Sequence, residues 1–148
     1  MRFQNDLYPT LPEQMTAMAE PGPEGPIVMV NLLKFKDKAV YEDGRTTELS
    51  GREAYMIYGK AVAELVQKHG GRILFAGDVT HLTLGQVEPI WDEIALAEYP
   101  RRRDMVEMSM SAAWREISVH RTAGLAGQLN IETTHMANTI TLTTPQAK

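Results

Sequence analysis

His120 and Arg121 stand side by side and pair a proton carrier with an anion holder. An imidazole with an ordinary pKa near ~6.5 exchanges a proton at neutral pH, and a guanidinium holds a carboxylate or enolate in a two-pronged grip. The plainer use of the pair is a His capping a backbone carbonyl and an Arg paired with Glu116 or Asp92. Trp91 and Asp92 sit where a strand is expected to start, so alternation sends indole and carboxylate to opposite sides. Under apolar walls the Asp92 carboxyl would have a raised pKa and could act as a base towards a weakly acidic C–H. Bonded to Arg72 or Arg121, it would only hold structure.

Asn31 is the one amide inside an apolar run, Ile27 to Phe35. Left unsatisfied in the interior it would cost about 1–3 kcal/mol, so it either ties down neighbouring backbone or turns its amide to a ligand oxygen. Tyr55 and Tyr58 offer hydroxyls that could hold oxygens too, or their rings simply pack. Arg101, Arg102 and Arg103 put three positive charges at an expected helix N-terminus, where the dipole disfavours each by roughly 0.3–1 kcal/mol. Asp104 and Glu107 offset part of this. Either an anion held by helix amides and these arginines, Arg103 among them, or a solvated rim facing acidic groups of another subunit accounts for the rest.

Other chemistries find no residues. His69, His81, His120 and His135 are scattered, without the spacing that sets two metal ligands on one face, and no metal site is expected. Gly22-Pro23-Glu24-Gly25 has prolines where a phosphate cradle needs free amides, and neither a serine nucleophile elbow nor a dinucleotide fingerprint occurs. No cofactor is therefore expected. The absence of cysteine removes thiolate chemistry and disulfides. Fifteen Lys and Arg against 19 Asp and Glu give a net charge of −4, with no basic block to follow a phosphate backbone, so nucleic acid is not an expected partner. The start of the chain lacks an apolar signal region and no run reaches membrane-spanning length, which reads as a soluble cytoplasmic protein.

These residues need elements to position them, and 148 residues with 43% hydrophobic content suffice for one domain with a core. Thr10-Leu11-Pro12-Glu13 has the form of a capping box, predicting a short helix from Leu11 to about Ala19 that Pro21 ends. A Pro- and Gly-rich loop delivers the chain to the strand Ile27 to Phe35, and residues 36 to 49 form a charged, turn-prone excursion. Ser50 to Glu53 is a second box, followed by a helix with Ala54, Tyr58, Ala61, Val62, Leu65 and Val66 on one stripe as far as Gly70. Arg72 to Leu84 and Ile90 to Tyr99 read as a hairpin. Pro100 opens a helix to about Met110, Ser111 caps another that holds Trp114, Ile117 and Arg121 on one face, and Gly124 ends it. Leu125 to Ile131 is a last, weaker strand, and Thr139 to Thr143 reads as an edge strand or a tail.

Residues 1–26 thus form a helix and loop, 27–131 the α+β domain and 132–148 a tail or edge strand. Strand, helix, strand, strand, helix, strand is the ferredoxin-like βαββαβ order: an antiparallel sheet with helices on one face. Both alternations of the strands are apolar, so the free face of the sheet is expected to meet a second subunit.

Several short motifs then fall in a familiar order: Gly25-Pro26 through Asn31-Leu32-Leu33-Lys34-Phe35, Ser50-Gly51 with Ala54-Tyr55 and Tyr58-Gly59, Gly70-Gly71-Arg72, Trp91-Asp92, Tyr99-Pro100, and His120-Arg121 with Ala123-Gly124-Leu125. Over residues 8 to 131 the chain resembles an uncharacterised family of dimeric α+β-barrel proteins. Arg101 to Arg103 depart from it where a serine is expected after Tyr99-Pro100. The resemblance implies a homodimer packed sheet to sheet, with a ligand cavity between helices and sheet that His120 could reach. Its wider superfamily contains cofactor-free monooxygenases, isomerases, cyclases and dehydratases as well as haem enzymes, so fold leaves the reaction open. The expected function is acid–base chemistry on a carbonyl- or carboxylate-bearing metabolite, by isomerisation, elimination or cyclisation. In it His120 and Asp92 move protons, and Arg121, Asn31, Tyr58, Tyr55, Trp91 and Arg103 bind substrate. Cofactor-free oxygenation of an electron-rich substrate and non-catalytic metabolite binding are the alternatives.

Overall fold

The computed structural model describes residues 9–136. Its elements run α1 (Pro12–Ala19), β1 (Ile27–Phe35), α2 (Gly51–Lys68), β2 (Arg72–Asp78), β3 (Glu93–Tyr99), α3 (Arg102–Ser109), α4 (Ala112–Gly124) and β4 (Leu125–Thr134). The strands form one open antiparallel sheet in the order β2-β3-β1-β4, which is the ferredoxin-like arrangement. The apolar β1 is central. One alternation of the sheet, with Ile27, Met29, Ala97 and Tyr99, packs with Leu65, Val66 and Met108 into the main core.

Local chemistry explains the helix ends. Ser50 accepts from the Glu53 amide at 3.0 Å while Glu53 accepts from the Ser50 amide at 2.9 Å, closing the expected box at the start of α2. Gly70 ends α2 at φ +84°, a left-handed turn that a side chain would strain. At α1 the expectation shifts by one residue: Pro12 takes the first helical position, so Leu11 is the cap, and Gln14 Oε1 accepts from the Leu11 amide at 3.2 Å.

Three strand limits also differ. β2 ends at Asp78 rather than Leu84, and β3 begins at Glu93 rather than Ile90, where the paired ladder between them stops. Val79 N–H donates to Asp92 O at 2.8 Å, and the Asp92 carboxylate takes the Phe35 amide at 2.9 Å, which closes the pairing there. β4 runs to Thr134, beyond Ile131, because all nine residues of β1 pair with it. The expected strand Thr139 to Thr143 lies outside the described residues.

The second alternation carries Val30, Leu32, Ile94, Leu96, Phe75, Leu129 and Ile131, and no helix among the described residues covers it. Phe75 is 55% exposed and Ile131 47%. On the opposite face, α2 and α4 cross with glycines at the contact. A Cβ on Gly51 would meet Lys36 O and the Gly124 carbonyl, and one on Gly124 would meet Gly51 O and the Tyr55 amide.

Candidate ligand site between helices and sheet

A directed chain of hydrogen bonds crosses from the sheet to α4. Asn31 Nδ2 donates to Met29 O and Ala95 O, both at 3.3 Å, which leaves its Oδ1 to accept from Gln128 Nε2 at 2.8 Å. Gln128 Oε1 then accepts from the Arg121 guanidinium at 2.7 Å. An arginine has no acceptor to offer, so this is the only orientation of the two amides that satisfies the chain. The strand register builds it: Asn31 and Gln128 lie on the helix-facing alternation of β1 and β4, and Arg121 reaches them from the last turn of α4.

Aromatic rings wall the array. The Arg121 guanidinium lies 5.8 Å from the Trp114 ring centroid, and Trp114 Nε1 donates to Tyr58 Oη at 3.1 Å. Tyr55 packs between Tyr58 and Phe35, with centroids 5.4 Å from each. Among the described residues neither Tyr55 nor Tyr58 has an acceptor for its own hydroxyl proton. Burial pushes both phenols up, against the opposing pull of Arg121 on each and of the Trp114 hydrogen bond on Tyr58. They therefore stay protonated and act as donors. Asn31, Tyr55, Trp114 and Arg121 are each partly exposed.

Glu93 faces the same layer from β3, one residue beyond Asp92. Its side chain is 18% exposed, and among the described residues its ion-pair partner is Arg52, at 3.8 Å. Burial raises its pKa, Arg52 lowers it and Asp78 raises it.

The structure thus brings Asn31, Arg121, Tyr55 and Tyr58 together. It does not bring His120 or Asp92 to them. Asp92 accepts from Lys34 at 3.1 Å as well as from Phe35, so neither Arg72 nor Arg121 is its ion-pair partner; Arg72 pairs with Glu98 at 3.1 Å. Trp91 is buried just before β3. Arg103 is exposed on α3 and lies 4.0 Å from Glu107. The neighbouring Arg102 grips both oxygens of Glu132 at 2.7 Å and donates to Ala17 O at 2.9 Å, which offsets part of the charge at that helix start. Glu93, Trp114 and Gln128 went unremarked as site residues. One signal for Gln128 was readable: in Gln128-Leu129-Asn130-Ile131-Glu132 polar and apolar residues alternate, which marks a polar inner face.

His120 instead turns to the excursion. Its Nδ1 lies 2.6 Å from Tyr41 Oη, with Tyr41 buried beneath Arg45. Beside them a cleft of about 360 Å³ is lined by Tyr41, Glu42, Asp43, Ser118, Val119 and Thr122. Burial and then the Arg45 charge hold the His120 pKa below 6.5, which favours the neutral ring in its hydrogen bond with Tyr41. Its contribution to stability is full above 6.5 and is lost as the pH falls through the depressed folded value. Tyr41→Phe should raise hydrogen exchange at the Ala39 and Val40 amides, which bond to Leu49 O and Ala123 O. Roughly five-fold is expected, about 1 kcal/mol for one hydrogen bond. Exchange unchanged from wild type would show that this bond does not pin the excursion.

The profile of a family described as "Domain of unknown function (DUF1330)" matches residues 44–132. Among solved structures, the RPA0582 protein of unknown function from Rhodopseudomonas palustris is 29% identical, with a TM-score of 0.77 over 90% of this chain and 98% of that one. Methylated RPA0582 is 31% identical, with a TM-score of 0.79 over 92% and 98%. At3g17210 from Arabidopsis thaliana, at 15% identity and a TM-score of 0.52 over 77% and 99%, shares the fold alone. No curated protein matches. No helix among the described residues is long and apolar enough to cross a membrane.

Proposed function

The chain belongs to the DUF1330 family, a domain of unknown function, and from that premise we propose that it binds a small carboxylate- or carbonyl-bearing organic molecule between α2, α4 and the sheet. The observation that carries this reading is the pair of phenol donors without acceptors among the described residues, Tyr55 and Tyr58, beside the oriented Arg121. Hydroxyl donors held at high pKa and a guanidinium all call for oxygens, and an anionic or enolisable ligand supplies them. Gln128 and Asn31 orient Arg121 and need not touch the ligand. The reaction class that suits such a site is acid–base isomerisation, elimination or cyclisation, using side chains without metal or nucleotide. Non-catalytic binding is the second reading, favoured by the phenols being donors that hold oxygens and do not remove protons.

The protein works as a homodimer in this proposal, because the uncovered alternation with Phe75, Leu129 and Ile131 is a contiguous apolar face that a second sheet would bury. Native mass spectrometry of gently purified protein tests both parts. The expected result is a dimer carrying a discrete organic mass that Arg121→Met loses. A bare monomer would overturn the dimer, and a mass retained by the Arg121 variant would overturn the site.

A further inference from the structure

Resting on that reading of the site, we propose that Glu93 is the catalytic base that takes a proton from the bound molecule, with Arg52 as its positioning partner. Alternation places Glu93 on the helix-facing side with Ala95, Ala97 and Tyr99, the side that Asn31 and Gln128 share. Tyr55 senses both Arg121 and Glu93, whose charges act on its hydroxyl in opposite directions. Glu93 on β3 and Gln128 on β4 flank Leu33 of β1 on this face, and Gln128 holds Arg121, so a ligand lying across β1 would have the carboxylate on its β3 side and the guanidinium on its β4 side. That is the layout for drawing a proton from carbon while its electrons move to an oxygen.

Glu93 is also the carboxylate left available. Asp92 is bound to Lys34 and the Phe35 amide. Arg52 sits 2.6 Å from Asp78 and 3.8 Å from Glu93, so its hydrogen bond goes to Asp78 and it acts on Glu93 only through charge. Arg52 is itself held against the Phe35 ring, 4.8 Å from the centroid. No described residue donates a hydrogen bond to the Glu93 carboxylate, although most of its side chain is buried. A partly desolvated carboxylate without donors is a stronger base than one in water.

In the step itself, the Glu93 carboxylate removes a proton from the carbon next to a carbonyl. The C–H bond breaks, and its electron pair forms an enolate whose oxygen Arg121 and the phenols hold. The Glu93 carboxylic acid then returns the proton to the same carbon or, where a β,γ double bond makes the enolate a dienolate, to its far carbon, giving an isomer. Alternatively, the enolate re-forms the carbonyl as a group on the β-carbon leaves with its bonding electron pair and takes the proton from Glu93. No electrons are gained or lost overall.

The test is exchange of the hydrogens next to the carbonyl of pyruvate, α-ketobutyrate and laevulinate in deuterium oxide. It is followed by proton NMR, with binding read from saturation transfer. The wild type is expected to bind at least one of the three and exchange it. Glu93→Gln should bind it as well and exchange it at least ~100-fold more slowly, the usual effect of losing a general base. Arg52→Gln should keep exchange but move its pH midpoint upward. The rate needs the carboxylate, whose pKa Arg52 lowers while Asp78 raises it, and the nearby Tyr55 stays neutral. A structural role for Glu93 would not move that midpoint. Wild-type exchange undiminished in Glu93→Gln, or binding without exchange in the wild type, overturns this inference and leaves the binding site standing. If none of the three acids binds, the reading of the site fails first.

Discussion

Gly124→Ala should lower the stability of this protein by about 3 kcal/mol, the upper part of the range for forcing volume into a packed contact. The added Cβ would meet the Gly51 carbonyl and lie 2.9 Å from the Tyr55 amide, and both are backbone atoms of α2 that cannot rotate away. The Lys36 amide also bonds to Gly124 O at 2.8 Å, so α4 cannot retreat without disturbing the end of β1. Relief requires moving the two helices apart, and that contact sets Tyr55 and Tyr58 against Trp114 and Arg121. Gly59→Ala on the same helix gives the contrast. A Cβ there meets nothing within 4 Å, so alanine should stabilise by about 0.5–1 kcal/mol through helix propensity. Urea unfolding of both variants checks the pair. If Gly124→Ala unfolds at the wild-type midpoint, the helices are not in backbone contact.

Gln128→Leu should cost a similar amount, about 3 kcal/mol, from two groups stranded together. Asn31 Oδ1 loses the Gln128 donor at 2.8 Å, and Arg121 loses the carbonyl acceptor at 2.7 Å. The leucine is close in size and Gln128 is only 8% exposed, so packing changes little and the loss is one of hydrogen bonding. Gln128→Glu separates the two ends. A carboxylate still faces Arg121 but presents an oxygen to Asn31 Oδ1 where a donor stood. Its cost should be smaller near the pH at which the new carboxyl is protonated, and larger above it. Thermal unfolding across pH reads this out. A Gln128→Leu variant within about 0.5 kcal/mol of wild type, the scatter of neutral surface changes, would mean that the chain of amides does not hold Arg121.

Much of the fold was legible because its signals are local. The stripe from Ala54 to Val66, the Ser50–Glu53 box and the Gly70 turn are decided by neighbours within a few residues, and the order of elements followed from them. The candidate site was legible in part. Asn31, Arg121, Tyr55 and Tyr58 stood out as polar groups on apolar elements, and their positions required them to meet something inside. Which groups they meet depends on strand register and helix crossing. Asp92 and Glu93 are neighbours in sequence. Where the ladder between β3 and β1 ends decides that the first bonds Lys34 and Phe35, while the second faces the helices. His120 and Arg121 are neighbours as well, and about 100° of helix rotation sends one to Tyr41 and the other to Gln128. Residue type and local spacing therefore determine which chemistry is present. Tertiary structure decides which of those groups share a space, because a hydrogen bond forms only where packing brings donor and acceptor to about 3 Å.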